Sequence, residues 1–294
     1  MGIERRFGRC IGRLHMDMIR EKMLQLCTIQ SRFNGEFGWQ AAGMSYLIHT
    51  AGNRFVVIDG GYAEDVPHLL RTMQGLSGED VPRVALWILT HPHGDHYLAL
   101  ASIAADPELR EKVCIEQLCF QLPESPILPG SGRSIEGDLL AVRSLAGRLA
   151  VPVLTPHTGM RLDIDGIGLR FFFTPEDHDG LKDPNELSLV FQIIGPNRRV
   201  MITGDAYERS LNPVCWRFWD ELKSDVCQLA HHGLNGGSAA FYAKVAAPTV
   251  LIPISASGDR YVRELRAGYV PRLFAERMAA EVIPAYHGDA VVML

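Results

Sequence analysis

An apolar segment that runs directly into a cluster of imidazoles and a carboxylate is the feature that most constrains how this chain can fold. Residues 84–90 form an apolar run typical of a buried strand. The six residues that follow it are His91, Pro92, His93, Gly94, Asp95 and His96. In extended backbone, residues two apart project to the same side, so His91 and His93 can point at one spot. Gly94 permits a sharp turn, and Asp95 and His96 then precede residues 97–105, an apolar segment predicted to be helical.

This arrangement indicates two adjacent half-sites for metal ions. Two imidazoles lie on one side of the predicted turn, and a carboxylate and a third imidazole lie on the other. Imidazole and carboxylate ligands suit zinc, with manganese and iron as alternatives. The alternative interpretation is a polar loop that is rich in histidine by chance, and the fixed spacing of the four side chains disfavours it.

A second strand end repeats this pattern. Residues 199–202 are strand-like, and Thr203, Gly204 and Asp205 follow them. One carboxylate can bridge two metal ions, so Asp205 is the candidate bridging ligand. Its alternative role is to begin a turn or to cap the next helix, but the motif at residues 91–96 favours the metal-binding role.

A third strand end, residues 225–230, is followed by His231 and His232. Alternation along an extended strand puts Cys227, Leu229 and His231 on one face and His232 on the other. We therefore expect His231 to be the metal ligand. His232 is then a neighbouring catalytic residue that contacts the substrate.

Two further residues are candidates for supporting roles. His178 lies in the acidic loop of residues 174–180 and can complete the first half-site, with a solvated loop histidine as the alternative. Asp59 ends a predicted strand and can orient a ligand imidazole from behind, with helix capping as the alternative.

The order of the predicted elements indicates an α+β fold. Strand-like segments pair as hairpins within residues 44–59 and 187–202, and helical segments interrupt the strands in both halves. This order suits two mostly antiparallel sheets packed face to face, with helices outside. We expect residues 1–25, which include an Arg-rich lead, to form a loosely ordered N-terminal extension, and residues 26–294 to form the domain.

Composition favours a soluble cytoplasmic protein that acts on a small molecule. The net charge is -5, and the sequence has no basic stripe, so nucleic acid is not the expected partner. No apolar run approaches the roughly 20 residues that a membrane helix needs, and no secretory signal follows the N-terminal charges. The 6 cysteines form no CxxC pair, and several lie in apolar runs, as reduced thiols do. The sequence leaves the oligomeric state open.

These residues resemble the metallo-β-lactamase superfamily. His91, His93, Asp95 and His96 match its HxHxDH signature, Asp205 matches its bridging acid, and His231 matches its last histidine. The resemblance implies an αββα sandwich with a two-metal site at one edge of the paired sheets. It also implies that His91 and His93 hold the first metal, that Asp95, His96 and His231 hold the second, and that Asp205 contacts both.

The resemblance has one departure, because the family's middle histidine has no clear counterpart here. Asn185 and residues 186–190 stand in its place. Together with the segments at residues 203–206 and 231–233, they are similar to the metallo-hydrolase domain of ComEC-type DNA-uptake proteins. The first metal is then either weakly held or held with the help of His178, and Asn185 is an additional candidate ligand.

The resemblance and the motif together predict a metal-dependent hydrolase, with dinuclear zinc as the expected cofactor. Asp95 is expected to orient the attacking water or to move a proton, and His232 to protonate the leaving group. The expected substrate is a phosphodiester or another small ester-like molecule. The alternative is a metal-binding sensor or interaction protein of the same fold that does not hydrolyse a substrate.

Overall fold

The computed structural model describes residues 21–28, 42–177, 180–265 and 269–294. The candidate ligand His178 lies outside the described residues. The strands of the first sheet are β1 Lys22–Gln25, β2 Ser45–His49, β3 Phe55–Asp59, β4 Arg83–Ile88, β5 Cys114–Ile115, β6 Leu118–Cys119, β7 Val153–Leu154 and β15 Ala290–Met293. The strands of the second sheet are β8 Arg161–Ile164, β9 Ile167–Phe173, β10 Val190–Ile194, β11 Arg199–Ile202, β12 Val226–Gln228, β13 Thr249–Ile252 and β14 Glu281–Pro284.

Helices separate many of these strands. The α-helices in the described ranges are α1 Val66–Ser77, α2 Gly94–Ala105, α3 Pro107–Arg110, α4 Glu136–Leu149, α5 Glu208–Arg217, α6 Ala239–Val245, α7 Ala256–Leu265 and α8 Val270–Met278. Short 3-10 helices lie at Ala63–Asp65, Pro175–Asp177, Pro184–Leu187 and Ala285–His287. None of the helices described here has both the length and the apolar character needed to cross a membrane.

Each sheet is antiparallel on one side and parallel on the other. The first has the strand order β15-β1-β2-β3-β4-β6-β7, with β5 also on β4; pairing is antiparallel up to β3 and parallel beyond it. The second has the order β14-β13-β12-β11-β10-β9-β8, parallel up to β11 and antiparallel beyond it. The predicted α+β sandwich is confirmed, but its sheets are mixed rather than mostly antiparallel. The helices between consecutive strands make parallel crossovers, which the hairpin signals do not reveal.

Alternation along the strands divides their side chains between separate apolar layers. The layer between the sheets takes alternate residues from both of them: Tyr46, Ile48, Val56, Ile58, Phe171, Phe191, Val200 and Ile202. Leu47 and Val57 face the other way and pack with helix residues such as Leu69. On the opposite side of the molecule, Met201 packs with Phe241 of α6. Two sheets therefore form the interior, with helices on both outer faces.

The strand β1 lies inside the segment that was expected to be an N-terminal extension. It pairs with β2 and β15 in antiparallel register, and Met23 is buried between the sheets. Residues 22–25 therefore belong to the first sheet, because their apolar side chains complete its inner face. The division of the rest of the chain into an extension and a domain stays a prediction, since residues 1–20 lie outside the described ranges.

Candidate metal centre

The candidate ligands lie where strands of both sheets end. β4 ends at Ile88 and α2 begins at Gly94 rather than at Tyr97, so Asp95 and His96 lie in the first turn of α2. His91 and His93 lie in the loop that joins these two elements. Asp205 follows β11, and residues 230–233 form a tight turn after β12. The site therefore joins a loop of the first sheet to two loops of the second.

One group of side chains brings together Asp95, His96, Asp205 and His232, whose ligand atoms all lie within 4.8 Å of one another. Asp205 Oδ2 is 3.3 Å from His96 Nε2 and 3.4 Å from His232 Nε2. Asp95 Oδ2 is 3.0 Å from His232 Nε2 and 3.6 Å from His96 Nε2. Two carboxylates and two imidazoles thus converge on one point, which is a donor set that divalent transition metals accept.

A second group contains His91, His93 and again Asp205, with the same mutual spacing of 4.8 Å or less. His91 Nε2 is 3.7 Å from Asp205 Oδ2 and 3.0 Å from His93 Nδ1. His91 is buried, whereas His93 is partly exposed. Asp205 is the residue common to both groups, which is where a bridging ligand would lie.

Asp59 lies behind His96 rather than in either group. Its Oδ2 is 2.8 Å from His96 Nδ1 and accepts a hydrogen bond from Thr90 Oγ1 at 2.9 Å. Its Oδ1 accepts a hydrogen bond from the Thr90 backbone N–H at 2.7 Å. Asp59 therefore fixes the orientation of the His96 ring, and His96 Nε2 faces the carboxylates of Asp95 and Asp205. This is where a residue that orients a ligand imidazole from behind would lie.

The structure brings His232, and not the expected His231, into the first group. His232 lies in the first group described above, and its Nδ1 contacts the Pro253 carbonyl oxygen at 2.7 Å. The His231 ring lies instead beside Tyr207, and its Nδ1 is 2.6 Å from Asn235 Oδ1. The strand argument failed because β12 ends at Gln228 and because His231 and His232 both have left-handed backbone, with φ of 50° and 54°. Alternation does not hold through such a turn.

Sequence reasoning missed the groups that hold the ligands in place. Ser188 Oγ accepts a hydrogen bond of 2.9 Å from the Asp205 backbone N–H. Gly204 has a φ of 52°, and a Cβ there would lie 2.9 Å from Ser188 Cβ and 3.0 Å from Thr90 Cβ. Glycine before Asp205 was therefore a usable signal of close approach. The contact with the Pro253 carbonyl oxygen has no such signal in the sequence, because every residue has a backbone carbonyl.

Asn185 lies in the 3-10 helix that precedes Ser188, and it is buried. Its Nδ2 donates a hydrogen bond of 2.9 Å to the Tyr207 hydroxyl oxygen. Its Oδ1 is buried without a hydrogen-bond partner among the described residues. The Leu189 backbone N–H donates to the Thr90 carbonyl oxygen at 2.9 Å, so the segment of residues 185–189 is bonded to the loop that carries His91 as well as to the loop that carries Asp205.

Carboxylate charge controls protonation in the cluster. Burial alone would lower the pKa of His232, but Asp205 and Asp95 raise it to about 10. Burial would also lower the pKa of His96, but the neighbouring carboxylates, Asp205 foremost, raise it well above its usual value. Burial would raise the pKa of Asp205, but His232, His96 and His91 hold it well below its usual value. The negative charge of the buried carboxylates must therefore be balanced by protons or by cations.

Three buried atoms of the cluster make no hydrogen bond of good geometry within the part of the chain that the structure describes: His96 Nε2, His232 Nε2 and Asp205 Oδ1, although carboxylate oxygens lie 3.0–3.6 Å from the two imidazole nitrogens. A buried polar atom without a partner costs about 1–3 kcal/mol. All three atoms are of kinds that ligate metal ions, and their residues belong to one convergent group. The residues present therefore fit a metal centre.

Comparisons with known proteins bear on the family and the fold of the chain. The sequence profile of the Metallo-beta-lactamase superfamily matches residues 39–251. The chain is also similar to Competence protein ComA of Neisseria gonorrhoeae, with 22% identity over 224 residues. That match covers 76% of this chain but 27% of ComA, so the chain spans about a quarter of that relative's length.

Solved structures share the fold. The metallo-β-lactamase fold protein YhfI from Bacillus subtilis superposes with a TM-score of 0.57 and 14% identity, covering 92% of this chain and 99% of YhfI. Zn²⁺-bound PqqB from Methylobacterium extorquens superposes with a TM-score of 0.55 and 11% identity, covering 93% of this chain and 100% of PqqB. Since the profile also matches most of the sequence, the chain belongs to the metallo-β-lactamase superfamily.

Proposed function

We propose that this protein is a metal-dependent hydrolase with a dinuclear centre. His91, His93 and Asp205 form the first half-site, and Asp95, His96, His232 and Asp205 form the second. The observation that carries the proposal is the position of Asp205 Oδ2, which lies 3.3–3.7 Å from imidazole nitrogens of His91, His96 and His232. Such a shared carboxylate can hold two cations at the short separation that two-metal hydrolysis requires.

When bound, such cations supply a nucleophilic water at neutral pH. The chain's own residues orient that water and move its proton. Asp95 Oδ2 lies between His96 and His232, so this carboxylate is in position to orient the water or to accept its proton. His231 is half-buried beside Tyr207, with ring centroids 5.2 Å apart. We propose that His231, rather than His232 as predicted from the sequence, contacts the substrate.

Zinc is our proposed metal, with manganese and iron as alternatives. The second half-site supplies two imidazoles and two carboxylates, a mixed donor set that all three ions accept. PqqB, which has a similar fold, binds Zn²⁺, and this supports the choice of zinc.

Asn185 stays a predicted additional ligand of the first half-site. Its Nδ2 is committed to Tyr207, and its Oδ1 is the buried atom without a partner. An amide oxygen is a suitable ligand for a hard divalent cation. His178 also stays a prediction.

A phosphodiester or another small ester-like molecule is the substrate class that we propose. The resemblance of residues 185–190, 203–206 and 231–233 to ComEC-type DNA-uptake proteins favours a phosphodiester. The net charge of -5 disfavours a long polyanion as the substrate. We also propose that the protein acts in the cytoplasm.

Metal content and turnover, measured on the same preparations, test the function. We expect two ions per wild-type chain and hydrolysis of a generic phosphodiester, or else of a lactone or thioester from a parallel panel. Asp205→Asn should lose at least about a hundredfold in turnover and should also lose bound metal. Asp220→Asn, an exposed carboxylate, is the matched control and should behave like wild type. Equal behaviour of wild type and Asp205→Asn on every substrate would overturn the proposal.

The second candidate function is a metal-binding sensor or interaction protein without hydrolysis. The smaller first half-site favours it, because three donor residues converge there against four in the second, among the described residues. One ion per chain with no turnover of any panel substrate would support this function over the enzyme.

A further inference from the structure

A buried ion pair lies directly beneath the turn that carries His232. Arg272 of α8 is 1% exposed and Asp259 of α7 is 4% exposed. The Arg272 Nη2 group donates to Asp259 Oδ1, and Arg272 Nε donates to Glu276 Oε1 at 2.9 Å. Neither charged group takes part in the proposed chemistry, and removing charges from water is costly unless they are paired.

The third donor of Arg272 reaches the metal-binding turn itself. Arg272 Nη1 donates to the Gly233 carbonyl oxygen at 3.4 Å, and Gly233 directly follows His232. A Cβ at Gly233 would lie 3.3 Å from Arg272 Cδ and 2.7 Å from Ile252 Cγ2, and the φ of Gly233 is 68°. Glycine at this position therefore lets the guanidinium stem and the turn pack together.

The carboxylate of Asp259 is held from several directions. Its Oδ2 accepts hydrogen bonds of 2.9 Å from both Arg263 Nε and the Tyr286 hydroxyl. The guanidinium of Arg272 is thus fixed between Asp259 and Glu276, and its Nη1 bonds to the Gly233 carbonyl oxygen. Because a guanidinium is a planar fork, it can make these three contacts at once, whereas a lysine ammonium on a flexible stem cannot reproduce them.

We propose that Arg272 is a positioning residue for the metal centre, acting through the turn of residues 231–233. The turn has three consecutive residues with positive φ, so it needs contacts from outside to keep its shape. His232 receives one such contact at its side chain from the Pro253 carbonyl, and Gly233 receives another at its backbone from Arg272. Loss of the second contact lets the turn relax and moves His232 Nε2 away from Asp95 and Asp205. This inference rests on the proposed metal-binding role of His232.

The test compares Arg272→Lys with Arg263→Lys. Both arginines bond to Asp259, and Arg272 in addition donates a hydrogen bond to Gly233 in the turn. Each variant is titrated with Co²⁺, which reports affinity and, through its visible spectrum, ligand geometry. We expect Arg272→Lys to weaken binding of one ion at least tenfold and to change the cobalt spectrum, whereas Arg263→Lys stays within twofold of wild type. In a His232→Ala background, the Arg272→Lys effect on affinity should disappear.

A metal-free measurement separates this inference from the proposed function. Amide hydrogen exchange over residues 231–236 should be at least tenfold faster in Arg272→Lys than in wild type or Arg263→Lys. If Arg272→Lys does not fold, Glu276→Gln takes its place, because Glu276 orients Arg272 Nε. Equal exchange rates and equal cobalt binding in the variant and its control would overturn the positioning role. A wild-type chain that binds no ion, with the exchange difference present, would instead overturn the proposed function alone.

Discussion

One candidate ligand lies on unusually constrained backbone. His231, His232 and Gly233 have φ of 50°, 54° and 68° in succession. Left-handed backbone costs about 1–2 kcal/mol for each residue that has a Cβ. Contacts that offset this cost are the hydrogen bond of 2.8 Å from the Leu234 N–H to the His231 carbonyl and the contact of His232 Nδ1 with Pro253. Strain of this kind persists where the surroundings fix the conformation, as they do at binding sites.

At the residue scale, Asp59 is expected to control metal affinity without being a ligand. Asp59→Asn keeps the side-chain shape but replaces one acceptor oxygen with an NH₂ group. The NH₂ group would face either a Thr90 donor or a protonated His96 Nδ1, and two donors do not hydrogen-bond to each other. The His96 ring therefore loses its fixed orientation. We expect metal affinity to fall by about 10–100-fold, as measured by chelator competition. Asp106→Asn, at a surface helix cap, is the control; wild-type affinity in both variants would contradict the prediction.

His49 is expected to make stability depend on pH. The ring is buried, stacks on Phe55 and contacts Asn53 Oδ1 at 2.8 Å. Burial, with a contribution from Lys22, lowers the pKa of His49 below its usual 6.5. The unfolded chain therefore binds a proton below about pH 6.5 that the folded chain resists, and the free energy of unfolding falls as pH drops through that range.

The measurement is urea unfolding of wild type and His49→Gln at pH 7.5 and at pH 5.5, both with chelator present. Wild type should lose more stability than the variant between these pH values, by no more than about 1.4 kcal/mol per pH unit. Other histidines contribute equally to both proteins and cancel in the comparison. A loss in His49→Gln as large as that in wild type would show that this side chain does not contribute.

At the scale of elements, α6 supports the turn that leads to His232. Tyr242 of α6 is buried, and its hydroxyl oxygen accepts a hydrogen bond of 3.1 Å from the Ala230 backbone N–H. Tyr242→Phe removes the acceptor and leaves that N–H unsatisfied. We expect a loss of about 1–3 kcal/mol in the free energy of unfolding, measured by urea denaturation. Tyr97→Phe, at a half-buried position on α2, is the matched control. If both variants lose the same amount, the hydroxyl of Tyr242 has no special role.

Helices and strands could be predicted from the sequence where the residues of the element itself determine its conformation. The hairpin of β2 and β3 follows from local alternation, and both strands lie within residues 44–59, as predicted. The loop at residues 91–96, which carries four candidate ligands, had its own signal in the same way. The position of His232 did not, because the groups that contact the turn lie far along the chain: the Pro253 carbonyl oxygen contacts His232 Nδ1, and the Arg272 guanidinium donates to the Gly233 carbonyl oxygen. Parallel pairing of β3 with β4 also depends on a crossover and not on either strand alone.

At the scale of the whole molecule, the candidate centre ties the two sheets together. His91, His96 and Asp95 follow a strand of the first sheet, whereas Asp205 and His232 follow strands of the second. The interior between the sheets is apolar, and a backbone hydrogen bond from Leu189 to Thr90 connects the two sheets next to the candidate centre. A cation shared by these side chains would therefore stabilise the relative position of the sheets as well as the loops.

Metal removal is accordingly expected to lower global stability, because the donors converge only in the folded chain. Binding to the folded state alone adds about 2.7 kcal/mol when free metal is a hundredfold above Kd. Wild type with zinc should therefore melt at a higher temperature than wild type with chelator, and the difference should grow with zinc concentration. Asp205→Asn, which removes the shared carboxylate charge, should show a much smaller difference, while Asp220→Asn should match wild type. A zinc-dependent shift of the same size in Asp205→Asn would mean that the ion binds elsewhere and that the carboxylate at 205 does not join the sheets through metal.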